Sequence, residues 1–220
     1  MRRWHALFMM MSIGWMVSAV SSAEDIKIAC VGDSITYGAG TSNPAKASYP
    51  SQLAGILGAG FQIGNFGHSG ATLLNNGDLP YIKVGEYKKA TDFAPDVVLI
   101  KLGTNDSKPQ NWKNKANFEK DLEALVDHFA ALPSKPKIWL VIPVPAYGVN
   151  YGISGTVIEQ EVIPMIKAVA QKKGLPTIDL FTALSNHADM FPDKIHPNDA
   201  GAKLMAEEVA RVLKEALAKK

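Results

Sequence analysis

The chain has 220 residues, 23 basic and 21 acidic side chains, a formal charge of +2 and 47% hydrophobic residues, enough apolar material for one domain with a sizeable core. Residues 1–23 read as an export signal: Arg2 and Arg3 precede an apolar stretch from Ala6 to Val20, and Ser21-Ser22-Ala23 supplies small residues for cleavage. Its removal takes two basic residues and no acidic one, so the mature chain is formally neutral and carries no excess of basic charge for nucleic acid.

The apolar stretch is shorter than the roughly 20 residues that span a bilayer. The expectation is therefore a periplasmic or extracellular protein without a stable membrane anchor. One domain, residues 24–220, fills the mature chain, with no repeat, linker or low-complexity segment.

In chain order, the apolar run Ile26 to Val31 predicts a buried strand that ends on Gly32-Asp33-Ser34. Cys30 lies in that run; as the only cysteine it forms no intrachain disulfide and reads as an inert core thiol. Residues 37–48 are rich in Gly, Ser, Asn and Pro and read as a loop. Gly38-Ala39-Gly40 lacks the third glycine of a dinucleotide fingerprint, because Asn43 stands there, and no Gly-Lys-Ser/Thr follows for a P-loop.

A helix is predicted over 49–57, with Leu53, Ile56 and Leu57 on one face, and a second strand over 61–66 running into Gly67-His68-Ser69-Gly70. A short helix over 84–93 and a third strand over 96–102 follow, the latter running into Gly103-Thr104-Asn105-Asp106. Phe118, Leu122, Leu125, Val126 and Phe129 share one helical face within 117–131. A fourth strand over 137–142 stops at Pro143; Trp139 lies in it and reads as core. The helical pattern from Ile158 to Val169 is interrupted by Pro164, which predicts a kink or a helix start there. A fifth strand over 176–180 and a last helix over 198–217 complete the chain.

Strands alternating with helices predict an α/β domain, a flavodoxin-like three-layer α/β/α sandwich with a five-stranded parallel sheet in the order 2-1-3-4-5. Ligands in such sheets bind beyond the carboxyl ends of the strands. Ser34, Gly67 and Asn105 follow strands one, two and three, and His196 lies beyond strand five, so all four share one edge.

A serine on that edge suits nucleophilic attack if a base takes its proton, and an imidazole three residues after a carboxylate, as in Asp193-Lys194-Ile195-His196, suits the base. Other readings stand beside this one. Asp33 and Ser34 could cap the next helix, and His196-Pro197 could begin the last one. Ser69 is a rival nucleophile, although Gly67-His68-Ser69-Gly70-Ala71 fails G-x-S-x-G, and Asp179 is a rival partner for a histidine. His68, His128 and His187 show no metal-ligand spacing, and Asp33 and Asp106 read as braces for their turns. Neither a metal nor an organic cofactor is signalled.

Gly32-Asp33-Ser34, the run Asn65 to Gly70, Gly103-Thr104-Asn105-Asp106 and Asp193-Lys194-Ile195-His196-Pro197 together resemble the motif blocks of the SGNH, or GDSL-type, hydrolases, in the family's order. The resemblance implies Ser34 as nucleophile, Asp193 and His196 as its partners, and an oxyanion hole from Ser34, Gly67 and Asn105. The run from Asn65 to Leu74 and that from Lys101 to Asp106, with Trp112 beyond, are similar to carbohydrate and sialate O-acetylesterase domains. That implies a secreted serine esterase acting on short acyl groups, O-acetyl above all, of a small-molecule or glycan ester. Tyr37, Tyr81 and Trp112 are candidate sugar-stacking residues. A lysophospholipase or thioesterase and a non-catalytic glycan-binding module are the alternatives.

Overall fold

The computed structural model describes residues 24–217; the predicted export signal lies outside the described residues. The predicted strands form as β1 (Ile26–Gly32), β2 (Phe61–Gly67), β3 (Val97–Lys101) and β4 (Lys137–Ile142). A hairpin of two-residue strands, β5 (Val149–Asn150) and β6 (Ile153–Ser154), precedes the last sheet strand, β7 (Thr177–Asp179). All pairings in the main sheet are parallel, in the order β2-β1-β3-β4-β7, which is the expected 2-1-3-4-5 with the fifth predicted strand as β7.

The helices in chain order are α1 (Ser34–Tyr37), α2 (Pro44–Ala47), α3 (Tyr49–Leu57), α4 (Gly85–Asp92) and α5 (Pro109–Trp112). They are followed by α6 (Phe118–Ala130), α7 (Gly155–Val157), α8 (Ile163–Lys173), α9 (Leu180–Leu184) and α10 (Asp199–Leu217). The segment read as a loop thus holds a helical turn, α2, which Asn43 caps by accepting the Ala45 N–H while Pro44 supplies a ready-set φ. Before Pro164 the chain runs as a π-helical turn, Ile158–Val162, and the proline lies in the first turn of α8, where its missing N–H costs little.

Alternation along the strands divides the core into two layers. Ala29, Val31, Val98, Ile100, Leu140 and Ile142 face α6 and α8 with Phe118, Leu122, Phe129, Ile166 and Val169. Ile28, Cys30, Val97, Leu99, Trp139 and Val141 face the other way, onto Leu53 of α3, Leu180 of α9 and Met205, Val209 and Leu213 of α10. Both sides of the sheet are therefore covered, which is why its strands are almost uniformly apolar. Burial pushes the Cys30 thiol up to about 12, so it is an inert core group, as expected.

Candidate active site

Gly32 pairs in register with Gly67 of β2 and Lys101 of β3, so these three residues mark one level at the carboxyl edge of the sheet. Asp33 comes next, and its carboxylate does two things. Its Oδ1 accepts the Ile35 N–H at 3.0 Å, capping α1, and both its oxygens accept from Lys101 Nζ, at 2.9 and 3.1 Å. The ion pair is wholly buried. Ser34, the first residue of α1, is thereby held at the rim with its hydroxyl directed across the edge.

That hydroxyl meets His196. Ser34 Oγ is 2.9 Å from His196 Nε2, and His196 Nδ1 is 2.6 Å from Asp193 Oδ2. The remaining oxygen, Asp193 Oδ1, accepts the N–H groups of Ile195 and His196 at 2.9 and 2.7 Å, closing a tight turn in which Lys194 adopts φ of 72°. Burial raises the Asp193 carboxyl, but the His196 N–H, the imidazole and the Ile195 N–H outweigh it and hold the group below its ordinary value. An ionised carboxylate only accepts, so Nδ1 carries the proton and the Nε2 lone pair is left to accept from Ser34. The three side chains form one hydrogen-bonded line from the serine hydroxyl through the imidazole to the carboxylate.

A cavity of about 260 Å³ opens over this line, lined by Ser34, Ala39, Ser69, Gly70, Asn105, Lys108, Tyr151, Ile153 and His196. Asn105 Nδ2 gives one hydrogen to Ala71 O at 3.1 Å, which orients the amide and leaves its second hydrogen without an acceptor among the described residues. The expectation for Gly67 is corrected. Its N–H is already donated to Asn65 Oδ1 at 3.0 Å, and an added Cβ would stand 2.1 Å from the Tyr37 nitrogen, so this glycine exists for close packing of β2 against α1. Gly70 takes the place beside Ser34 and Asn105, with φ of 86°, and no acceptor among the described residues takes its N–H. Ser69 lies in the same cavity, but the imidazole engages Ser34.

With this geometry in view, the comparisons decide the family. A family model described as GDSL-like lipase/acylhydrolase matches residues 30–204, from β1 into α10. The chain belongs to that family. Membership puts it in the class of carboxylic ester hydrolases. It is 44% identical to an acetylxylan esterase of Xylanibacter ruminicola over 91% of this chain and 46% of that one. The chain spans less than half the length of the curated relatives it matches. Among solved structures, Est24, a carbohydrate acetylesterase from Sinorhizobium meliloti, superposes with a TM-score of 0.69 at 20% identity, covering 87% of this chain and all of that one. A two-domain esterase described as active on acetylated mannans superposes with a TM-score of 0.63 at 23% identity, over 87% of this chain and 49% of that one. Both structures share the GDSL-type fold with this chain.

Within this GDSL-type site the aromatic candidates separate. Tyr81 is buried and donates its hydroxyl to Phe66 O at 2.8 Å, and Trp112 is buried against Phe118 with Nε1 donating to Glu161. Neither has a face open to a sugar, so both are corrected to core roles. Tyr37 is exposed, but it lines a neighbouring cavity with Pro44, Asn65, Phe66 and Glu86. Asp179 caps α9 through the Thr182 N–H and takes no part in the histidine contact. His68 pairs with Glu86, and His128 contacts Thr91 Oγ1 while packing on Tyr87. Among the described residues no group of three or more His, Cys, Asp or Glu is placed to hold a metal ion.

Asp106 braces its turn as expected: its oxygens accept the Leu73 and Leu74 N–H groups at 3.0 and 2.8 Å, and burial, against those donors, lifts it to about 7. Three features escape the sequence reading. Lys101 reads only as one residue of the third strand, Gly70 is one of several glycines after β2, and Tyr151 lies in a segment too short for periodicity. The flanking Gly148 and Gly152 are the signal that a turn displays Tyr151.

Proposed function

We propose that this chain hydrolyses O-acetyl esters of carbohydrates through Ser34, His196 and Asp193. The observation that carries the reading is the hydrogen-bonded line from Ser34 Oγ through the imidazole to the Asp193 carboxylate. As Ser34 Oγ attacks the ester carbon, its proton passes to His196 Nε2, and Asp193 stabilises the imidazolium. The carbonyl oxygen becomes an oxyanion, met by the N–H groups of Ser34 and Gly70 and the free amide hydrogen of Asn105. The imidazolium then protonates the departing sugar alkoxide. Water, deprotonated by His196, attacks the acyl-serine carbonyl; the second tetrahedral intermediate collapses, returning the proton to Ser34 Oγ and releasing acetate.

A cavity of about 260 Å³ that also has to admit the alcohol supports a short acyl group. The 44% identity to an acetylxylan esterase supports an acetylated polysaccharide as the source of that group. Export through residues 1–23 belongs to the same reading, because such polymers lie outside the cytoplasm.

The test is hydrolysis of p-nitrophenyl esters from acetate to laurate by the protein and by Ser34→Ala. The expected result is activity confined to the shortest chains and lost in the variant by about three orders of magnitude or more. A preference for laurate would replace this reading with a lysophospholipase or thioesterase. Equal activity in Ser34→Ala would remove the serine mechanism, and no activity on esters or acetylated oligosaccharides would favour a glycan-binding module.

A further inference from the structure

The β5–β6 hairpin stands over the site and is tied to it at both ends. On one side the Tyr147 N–H donates to Lys194 O at 2.9 Å and Asn150 Nδ2 donates to Asp193 O at 2.8 Å. On the other the Ser154 N–H donates to Ser107 Oγ at 3.1 Å, and Ser107 in turn donates to Thr104 O, within the turn that carries Asn105. The hairpin therefore moves with both the base and the oxyanion side of the site.

At its tip is Tyr151, 61% exposed, with φ of 52°. A left-handed backbone at an aromatic residue costs free energy and persists only where its surroundings enforce it. Here the Asn150 side chain does so: its Oδ1 accepts the Tyr151 N–H at 2.9 Å while its amide holds Asp193. The Tyr151 ring centroid lies 5.8 Å from that of His196, at an interplanar angle of 55°, and the residue lines the cavity with Lys108 and Ile153.

We propose that Tyr151 is the platform on which the alcohol part of the ester, a pyranose ring, stacks, and that Lys108 donates to its hydroxyl groups. The side of the ester follows from the chemistry. The leaving oxygen must face His196 Nε2 to receive its proton, so a ring packed on the imidazole away from Ser34 lies on the alcohol side of the ester. An exposed aromatic ring on a held backbone has the flat apolar face that sugar C–H groups cover, and with two side-chain torsions it has little entropy to lose. Tyr37, Tyr81 and Trp112 lack that position. The inference rests on the esterase reading for its direction, and the experiment separates the two.

Tyr151→Ala and Tyr151→Phe are compared with the unaltered protein on acetylated xylo-oligosaccharides and on ethyl acetate, whose alcohol has no ring. In parallel, binding of deacetylated xylo-oligosaccharide to each protein is titrated by NMR. The expected result is a loss of about tenfold in kcat/KM on the oligosaccharide for Tyr151→Ala, carried mainly by KM. Ethyl acetate changes less than about twofold, and Tyr151→Phe behaves like the unaltered protein, because stacking needs the ring and not its hydroxyl. Equal losses on both esters would overturn the proposal, since Tyr151 would then act through His196; so would unchanged kinetics on the oligosaccharide. If the unaltered protein cleaves neither ester, the esterase reading fails and the titration alone decides. Weaker binding by Tyr151→Ala upholds the platform, and equal binding ends it.

Discussion

Two carboxylates flank Ser34, each holding a basic nitrogen, and they are built in opposite ways. Asp33 and Lys101 are both fully buried beneath the nucleophile, with two contacts near 3 Å and the Ile35 N–H as a further donor. Asp193 and His196 stand at the rim, 30% and 13% exposed in their side chains, at the two ends of a four-residue turn. Burying charge is costly, and a buried pair is tolerated only when its hydrogen-bonding groups are matched. Such a pair suits a position that must not move. The rim pair keeps access to solvent, as the proposed role of passing a proton and admitting an ester requires. Ser34 thus stands on a dry, rigid support, and the imidazole that meets it stands on an open one.

Breaking the buried pair is the strongest test of that contrast. Lys101→Met retains most of the side-chain volume but leaves the Asp33 carboxylate unpaired in the interior, and a destabilisation of about 3–5 kcal/mol is expected by chemical denaturation. The loss appears with or without substrate, because it concerns the turn that carries Ser34. A loss below about 1 kcal/mol would put this pair on a level with exposed ion pairs and remove the contrast.

Asn105→Ala sharpens the comparison from the oxyanion side. The side chain has one hydrogen committed to Ala71 O and lines the cavity over Ser34. Its removal is expected to lower kcat by about 10²–10³, whereas the lost structural bond costs only about 1 kcal/mol of stability. Near-normal turnover would show that the Ser34 and Gly70 N–H groups suffice. A loss in KM alone would move Asn105 from transition-state to ground-state binding.

The contrast also explains what was legible in the sequence. The sheet was legible because five apolar runs, each ended by Gly, Pro or a polar turn, admit few arrangements, and their order alone places Ser34, Asn105 and His196 on one edge. The rim pair was legible too, since a carboxylate three residues before a histidine is a local pattern. Lys101 was not, because its only justification is a partner 68 positions away. Gly67 and Gly70 are separated by the level at which β2 ends: Gly67 still pairs in register with Gly32, and only Gly70 lies beyond the strand. Tyr81 and Trp112 occupy polar-looking segments, yet these fold inward over the sheet edge, and aromatic burial of that kind leaves no periodic trace. Tyr151 escaped for the converse reason, being displayed by a turn whose strands have two residues each.

The smallest expected effect concerns the rim pair. In the fold the Asp193 carboxyl titrates below its ordinary value, because the His196 N–H, the imidazole and the Ile195 N–H outweigh the opposing effect of burial. A depressed acid contributes stability that is fully present above its unfolded value, about 3.9, and lost as the pH falls through the lower folded value. Asp193→Asn should therefore melt slightly below the unaltered protein between pH 7 and about 5, by on the order of 1 kcal/mol or less given its exposure. The gap should begin to close below about pH 4 and vanish only once the pH is under the lower folded value, where the carboxyl is neutral in both states and the amide resembles it. Differential scanning calorimetry of the two proteins across that range measures it. A gap of several kcal/mol, or one that widens on acidification, would mean that Asp193 carries the fold as Asp33 does, and the division between a rigid support and an open base would be lost.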